Sequence, residues 1–158
     1  MTPKLFSELG LSADVLKAID KLGFEQASPI QAEAIPVLMT GKDIVGQSQT
    51  GSGKTLAFGV PMMSRIDSPA TPGKPHGLVI VPTRELALQV SEVLGPIGKH
   101  CGVRVLAVYG GADRQKQVVE IAWKKSHAEN QVRDAIRNGM SATWVRTTST
   151  NGRGPAHA

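Results

Sequence analysis

Ser48-Gln49-Thr50-Gly51-Ser52-Gly53-Lys54-Thr55 follows the apolar pair Ile44-Val45 and precedes a helix-like segment from Leu56 to Arg65. Gly51 and Gly53 let the backbone turn tightly and bring its N–H groups against a phosphate oxygen. Lys54 has the reach to meet terminal phosphates, and the Thr55 hydroxyl is placed to ligate Mg²⁺. The helix that starts there points its positive end at the same phosphates. The octapeptide reads as a phosphate-binding loop with one departure, Ser48 standing where the strict pattern has Gly. An ordinary Gly/Ser turn is the competing reading; the Gly53-Lys54-Thr55 ending and its flanks argue against it.

The chain around this loop has 158 residues, 41% hydrophobic and 20% charged, the composition of a soluble globular domain with a core of its own. No apolar run approaches the roughly 20 residues that cross a bilayer. The N-terminus, with Pro3, Lys4 and Glu8 among short apolar pieces, lacks the apolar centre of a signal peptide. Cys101 is the sole cysteine, so no intramolecular disulfide forms, and the four histidines are too scattered for a metal site. The net charge of +5 permits a nucleic-acid partner without requiring one. The cytoplasm is the expected compartment.

Upstream of the loop, Ser12 caps a helix whose apolar residues are Val15, Leu16, Ile19 and Leu22, and Gly23 stops it. A second helix starts at Ser28 with Pro29 in its first position, and Gly41 closes it. Asp43 to Gly46 then reads as a short buried strand feeding the loop. Downstream, Asp67 to Gly77 is a proline-rich loop, Leu78 to Val81 a buried strand, Arg84 to about Val93 a helix, and Val103 to Val108 a third strand. Alternating strands and helices predict an α/β fold: a mainly parallel sheet with flanking helices on both faces. Ligands of such sheets gather at the carboxyl ends of the strands, where the phosphate loop lies.

The composition changes after about Gln117. Residues 1–117 hold twelve leucines and no tryptophan, whereas 118–158 hold no leucine and both tryptophans. The expected division is therefore 1–117 as the ordered part and 118–158 as a tail, with one helix over 121–138 and disorder from Thr147 onward.

The ordered set of Phe6, Phe24, Ser28-Pro29-Ile30-Gln31, the phosphate loop, Pro82-Thr83-Arg84-Glu85-Leu86-Ala87 and Gly110-Gly111 closely resembles the first half of the first RecA-like domain of DEAD-box ATP-dependent RNA helicases, with a bacterial, RhlE-type look. The resemblance covers residues 5 to about 117, leaves a non-matching C-terminal tail, and includes Ser48, where that family commonly has Ala. It implies a partial RecA-like P-loop domain that takes ATP and Mg²⁺. It implies nucleotide contacts from Phe6, Gln31, Ser48, Gln49, Thr50, Gly51, Ser52, Gly53, Lys54 and Thr55, the last also on Mg²⁺. It further implies RNA-backbone contacts, with little sequence preference, from Pro82, Thr83, Arg84, Gly110 and Gly111.

The residues by themselves leave alternatives open. A Gln31 amide suits adenine, which the resemblance implies, but Ser28-x-x-Gln31 is also a capping box. Stacking of Phe6 on the base is what the resemblance implies; alone, Phe6 reads as a core or staple residue. Thr83 and Arg84 suit a phosphate at a helix start, or a solvated Arg84–Glu85 pair. Gly110-Gly111 allows close backbone approach, or is a turn.

The resemblance also breaks. The family's Thr-Pro-Gly-Arg motif is absent after Gly111, and its acidic motif is missing; Glu120, Glu129 and Asp134 do not end apolar strands. Phosphoryl transfer needs a carboxylate for Mg²⁺ and a group to position water. Ser141-Ala142-Thr143 spells the family's third motif, but a three-residue match without the acidic one is read as chance. The expectation is a truncated helicase domain, frameshifted near Gln117, whose catalytic residues are unknown and whose strand before the loop lacks a partner. The alternatives are a non-enzymatic nucleotide- or RNA-binding fragment, and an unrelated phosphate-loop kinase or transporter ATPase. The residues ahead of the loop and Pro82–Leu86 argue against the last.

Overall fold

The computed structural model of the chain describes residues 3–66, 75–111 and 141–147. Its N-terminus makes a 3-10 turn at Phe6–Glu8, fastened to the loop ahead of the second helix. The Phe6 N–H donates to Glu25 O at 3.2 Å and the Ala27 N–H to Lys4 O at 2.9 Å. Helix α1 (Ala13–Lys21) buries Val15, Ala18 and Ile19 on one side, as their helical spacing dictates. Helix α2 (Pro29–Met39) starts on the fixed φ of Pro29, and α3 (Lys54–Ser64) starts at Gly53, inside the quoted stretch.

The second half is built on a longer helix. Strand β1 (Pro75–Val81) leads to α4 (Arg84–Cys101), which Thr83 caps and Gly102 ends in the left-handed conformation at φ +67°. Strand β2 (Val103–Val108) follows, and β3 (Ser141–Thr147) closes a three-stranded sheet in the order β1-β3-β2. Leu78 of β1 and Leu106 of β2 both pair with Trp144, and Val81 pairs with Ser141.

Helix α4 joins the two halves, packing on α1 and α3 and against the sheet. Ile19, Ile35, Val60, Leu94 and Ile97 are fully buried members of the shared core, with Val79, Val81 and Val105 reaching it from the strands. The α3–α4 approach depends on Gly59, where a Cβ would collide with the Leu94 side chain.

Four expectations need correction. Over its described strands the sheet is not mainly parallel: β1 and β2 run the same way, but β3 lies between them antiparallel to both. Its backbone N–H and C=O groups satisfy the facing edges of both neighbours, which do not pair with each other. Second, 43–46 is not a strand; Ile44 is exposed and Val45 is 101% exposed, because no described strand lies alongside to complete a ladder. Third, the described helices cover one face of the sheet. Along β1 the inward Val79 and Val81 alternate with Leu78 and Ile80, which are 36% and 55% exposed. Fourth, α4 runs on to Cys101, well past Val93, carrying Pro96 within it. The helix expected over 121–138 and the disorder expected over 148–158 lie outside the described residues, while Thr147 ends β3.

Candidate functional site

Two clusters gather the residues singled out from sequence. The first joins the start of α2 to the end of the phosphate loop. Ser28 N–H donates to Gln31 Oε1 at 2.9 Å, the capping-box contact that Ser28-x-x-Gln31 predicts. The same Gln31 amide turns its Nε2 onto the Gly53 carbonyl at 3.1 Å, and Ser28 Oγ donates to the Ser52 carbonyl at 2.7 Å. Gln31 is 5% exposed, and bonding at both ends of its amide is what lets a polar side chain stay buried. Its two open readings thus differ in what is visible: the capping role is realised, and one Nε2 proton and one Oε1 lone pair remain for another partner.

Gly53 has to be glycine for two reasons. Its φ is +85°, and a Cβ would run into Gln31 Nε2. Gly51, at φ +76°, makes the earlier bend. Within the loop, Ser48 Oγ and Ser52 Oγ share a hydrogen bond at 2.5 Å. Lys54 folds back over the loop, its Nζ donating to Ser48 O at 2.5 Å and Gln49 O at 2.8 Å. Gln49 and Thr50 are exposed, whereas Thr55 is half-buried in the first turn of α3. No side chain caps that turn, so its leading N–H groups are left for another acceptor.

This donor set fits a nucleotide phosphate: an ammonium, a hydroxyl, and amides at a helix start, with no acid inside the loop. As the loop stands, its own carbonyls hold the ammonium, so an arriving phosphate has to replace those bonds. Among the described residues, no group of three or more His, Cys, Asp or Glu is placed to hold a metal ion.

Phe6 sits in the N-terminal turn that is bonded to the residues just ahead of Ser28. It is 2% exposed and belongs to the hydrophobic core, so its ring has no open face for a base. The core position that Phe6 alone suggests is occupied.

The second cluster sits where β1 and β2 end. Pro82, Thr83 and Arg84 are exposed, as are Gly110 and Gly111. Thr83 Oγ1 accepts from Leu86 N–H at 3.2 Å, which keeps the hydroxyl at the helix start. The Arg84 guanidinium lies 3.6 Å from a Glu85 carboxylate oxygen and 5.8 Å above the centre of the Tyr109 ring. Arg84 and the glycine pair, far apart in sequence, are therefore brought to the same strand ends. Tyr109 was missed in the sequence; its signal was being the one tyrosine of the chain, immediately ahead of Gly110-Gly111.

A sequence model of the DEAD/DEAH box helicase family matches residues 28–148, running past Gln117 to take in β3. The DEAD-box ATP-dependent RNA helicase CshA of Bacillus cereus is 53% identical over 113 residues, 72% of this chain and 21% of that protein. Its Bacillus subtilis namesake is 50% identical over 113 residues, 72% of this chain and 22% of that one. The chain thus spans about a fifth of the length of these curated relatives. Among solved structures, a DEAD box protein from the hyperthermophile Methanococcus jannaschii is 33% identical with a TM-score of 0.61, over 74% of this chain and 32% of that one. An RNA helicase from Chaetomium thermophilum, bound to ADP, is 28% identical with a TM-score of 0.71, over 87% of this chain and 35% of that one. The α/β class expected from sequence is matched: the fold is a partial RecA-like domain.

Proposed function

We infer what this chain does from one premise: it belongs to the DEAD/DEAH box helicase family. It is the nucleotide-binding part of an ATP-dependent RNA helicase, binding ATP at the phosphate loop and RNA backbone at the ends of β1 and β2. One observation carries this reading, the bonding of Gln31 and Ser28 to Gly53 and Ser52, which fixes a base-side glutamine to a phosphate-side loop. ATP when bound supplies the phosphoryl bond, and its Mg²⁺ offsets the charge of the phosphate oxygens.

The chain's own residues divide the binding work. Ser48 to Gly53 would offer backbone N–H groups to ATP, Lys54 would exchange Ser48 O and Gln49 O for phosphate, and the Thr55 hydroxyl would hold Mg²⁺. Gln31 keeps its spare donor and acceptor for adenine. Pro82, Thr83, Arg84, Gly110 and Gly111 hold RNA through its backbone, a mode with little sequence preference and a steep salt dependence.

Turnover is a separate matter. Among the described residues no carboxylate stands at a strand end to take Mg²⁺, and Glu120, Glu129 and Asp134 lie outside them. The chain is read as binding without hydrolysing, and as cytoplasmic; among the described residues no helix is long and apolar enough to cross a membrane. The finer RhlE-type placement has no support in the relatives above, which are named CshA.

Titration with a fluorescent ATP analogue, beside a Lys54→Ala control, tests the reading. Saturable binding that the control lacks is expected, with RNA-stimulated hydrolysis equal in the two proteins. Absence of nucleotide binding would sink the assignment. RNA-dependent hydrolysis that Lys54→Ala abolishes would overturn the binding-only part.

A further inference from the structure

We infer that Tyr109 is a positioning residue of the RNA-backbone cluster, its ring holding the Arg84 guanidinium where a phosphate can meet it. The inference rests on the RNA reading of that cluster and adds the residue that organises it.

The argument begins with the Arg84 side chain. It is 54% exposed, with many rotamers to lose on binding. Its contact with Glu85, itself 70% exposed, is an ion pair of the kind that contributes little and holds little in place. The Glu85 carboxylate also competes with a phosphate for the same guanidinium edge. The Tyr109 ring is different on both counts. It comes from a separate segment, directly after β2, and is half-buried, so it has less freedom to lose than Arg84. At 5.8 Å from ring centre to Cζ, the guanidinium is within reach of the ring's electron-rich face.

A cation held by its face keeps its edge. The five N–H donors of a guanidinium lie in its plane, so a ring contact consumes none of them and leaves the fork for two phosphate oxygens. Ordering Arg84 before RNA arrives removes part of the entropy cost of binding. The exposed Gly110 and Gly111 follow directly on Tyr109, so one short segment presents the platform and a backbone open to close approach.

The test measures fluorescence anisotropy of a labelled oligouridine with the full 158-residue chain over a range of salt concentrations. Thermal melts of each variant establish that it folds. Tyr109→Phe keeps the ring and is expected to bind as wild type. Tyr109→Leu, which keeps apolar bulk without the ring face, and Tyr109→Ala are expected to bind about two- to fivefold more weakly. Arg84→Ala should weaken binding and lower the salt slope by about one. Adding Tyr109→Ala to Arg84→Ala should cost nothing further.

Wild-type affinity in Tyr109→Leu would reduce the ring to packing and overturn the inference. So would a Tyr109→Ala loss that persists in the Arg84→Ala background, because the ring would then act without the arginine. A loss at Arg84 with none at Tyr109 sinks the inference alone. Unchanged affinity and salt slope in Arg84→Ala would remove the RNA reading of the cluster, and the inference with it.

Discussion

At the scale of single residues, side chains here are set by what they can bond to rather than by exposure alone. Gln31 is buried because both ends of its amide are used, one locally and one across 22 residues of chain. The local half was legible in Ser28-x-x-Gln31; the Gly53 half was not, since spacing says nothing about contacts formed only after two helices pack. Cys101 shows the opposite case, a group with little to compensate its burial. Desolvation, with the Asp14 charge behind it, pushes its thiol up from 9.0 to about 11. Iodoacetamide should therefore label the native chain more slowly than the urea-unfolded chain at pH 9, the gap closing as pH passes 11. The sign for stability follows. The contribution is fully present below pH 9, where both states keep the proton, and is lost as pH rises through about 11. Equal labelling rates at pH 9 would contradict the raised thiol.

At the scale of elements, helices were more legible than strands, for a physical reason. A helix closes its hydrogen bonds within itself, so Ser12, Pro29 and Gly23 could mark its ends from sequence. A strand needs a neighbour. Asp43 to Gly46 has an apolar strand-like pattern but no described partner, and it stays irregular; Ser141-Ala142-Thr143 reads from sequence only as a chance motif, yet it opens a strand that pairs on both edges. Contacts between elements are close enough to test by coupled substitutions. Leu94→Ala should cost about 3 kcal/mol in urea denaturation, as a fully buried leucine removed from a packed core. Gly59→Ala alone should cost about 1–3 kcal/mol through overpacking against Leu94. The double variant should be more stable than the sum implies, because the shortened residue 94 makes room for the new methyl group. Simple additivity would show that α3 and α4 do not meet at this point.

At the scale of the whole molecule, the composition change at Gln117 is plain in the sequence, but the chain does not divide there cleanly. β3 belongs by composition to the tail and by pairing to the sheet. The molecule also carries apolar surface that nothing described covers: Ile44 and Val45 ahead of the phosphate loop, and Leu78 and Ile80 on the outer face of β1. Replacing Val45 and Ile80 by Thr should raise the concentration at which light scattering begins, with stability changed by only about 0.5 kcal/mol. Unaltered scattering would mean that association proceeds through another surface. The order of the sheet also has a consequence in time. β1 and β2 meet only through β3, which is encoded about 33 to 66 residues later, so during synthesis their facing edges stay open until residues 141–147 leave the ribosome. Until then the nascent chain presents those edges to its neighbours on the polysome, and its yield in cells should depend on how quickly β3 is delivered.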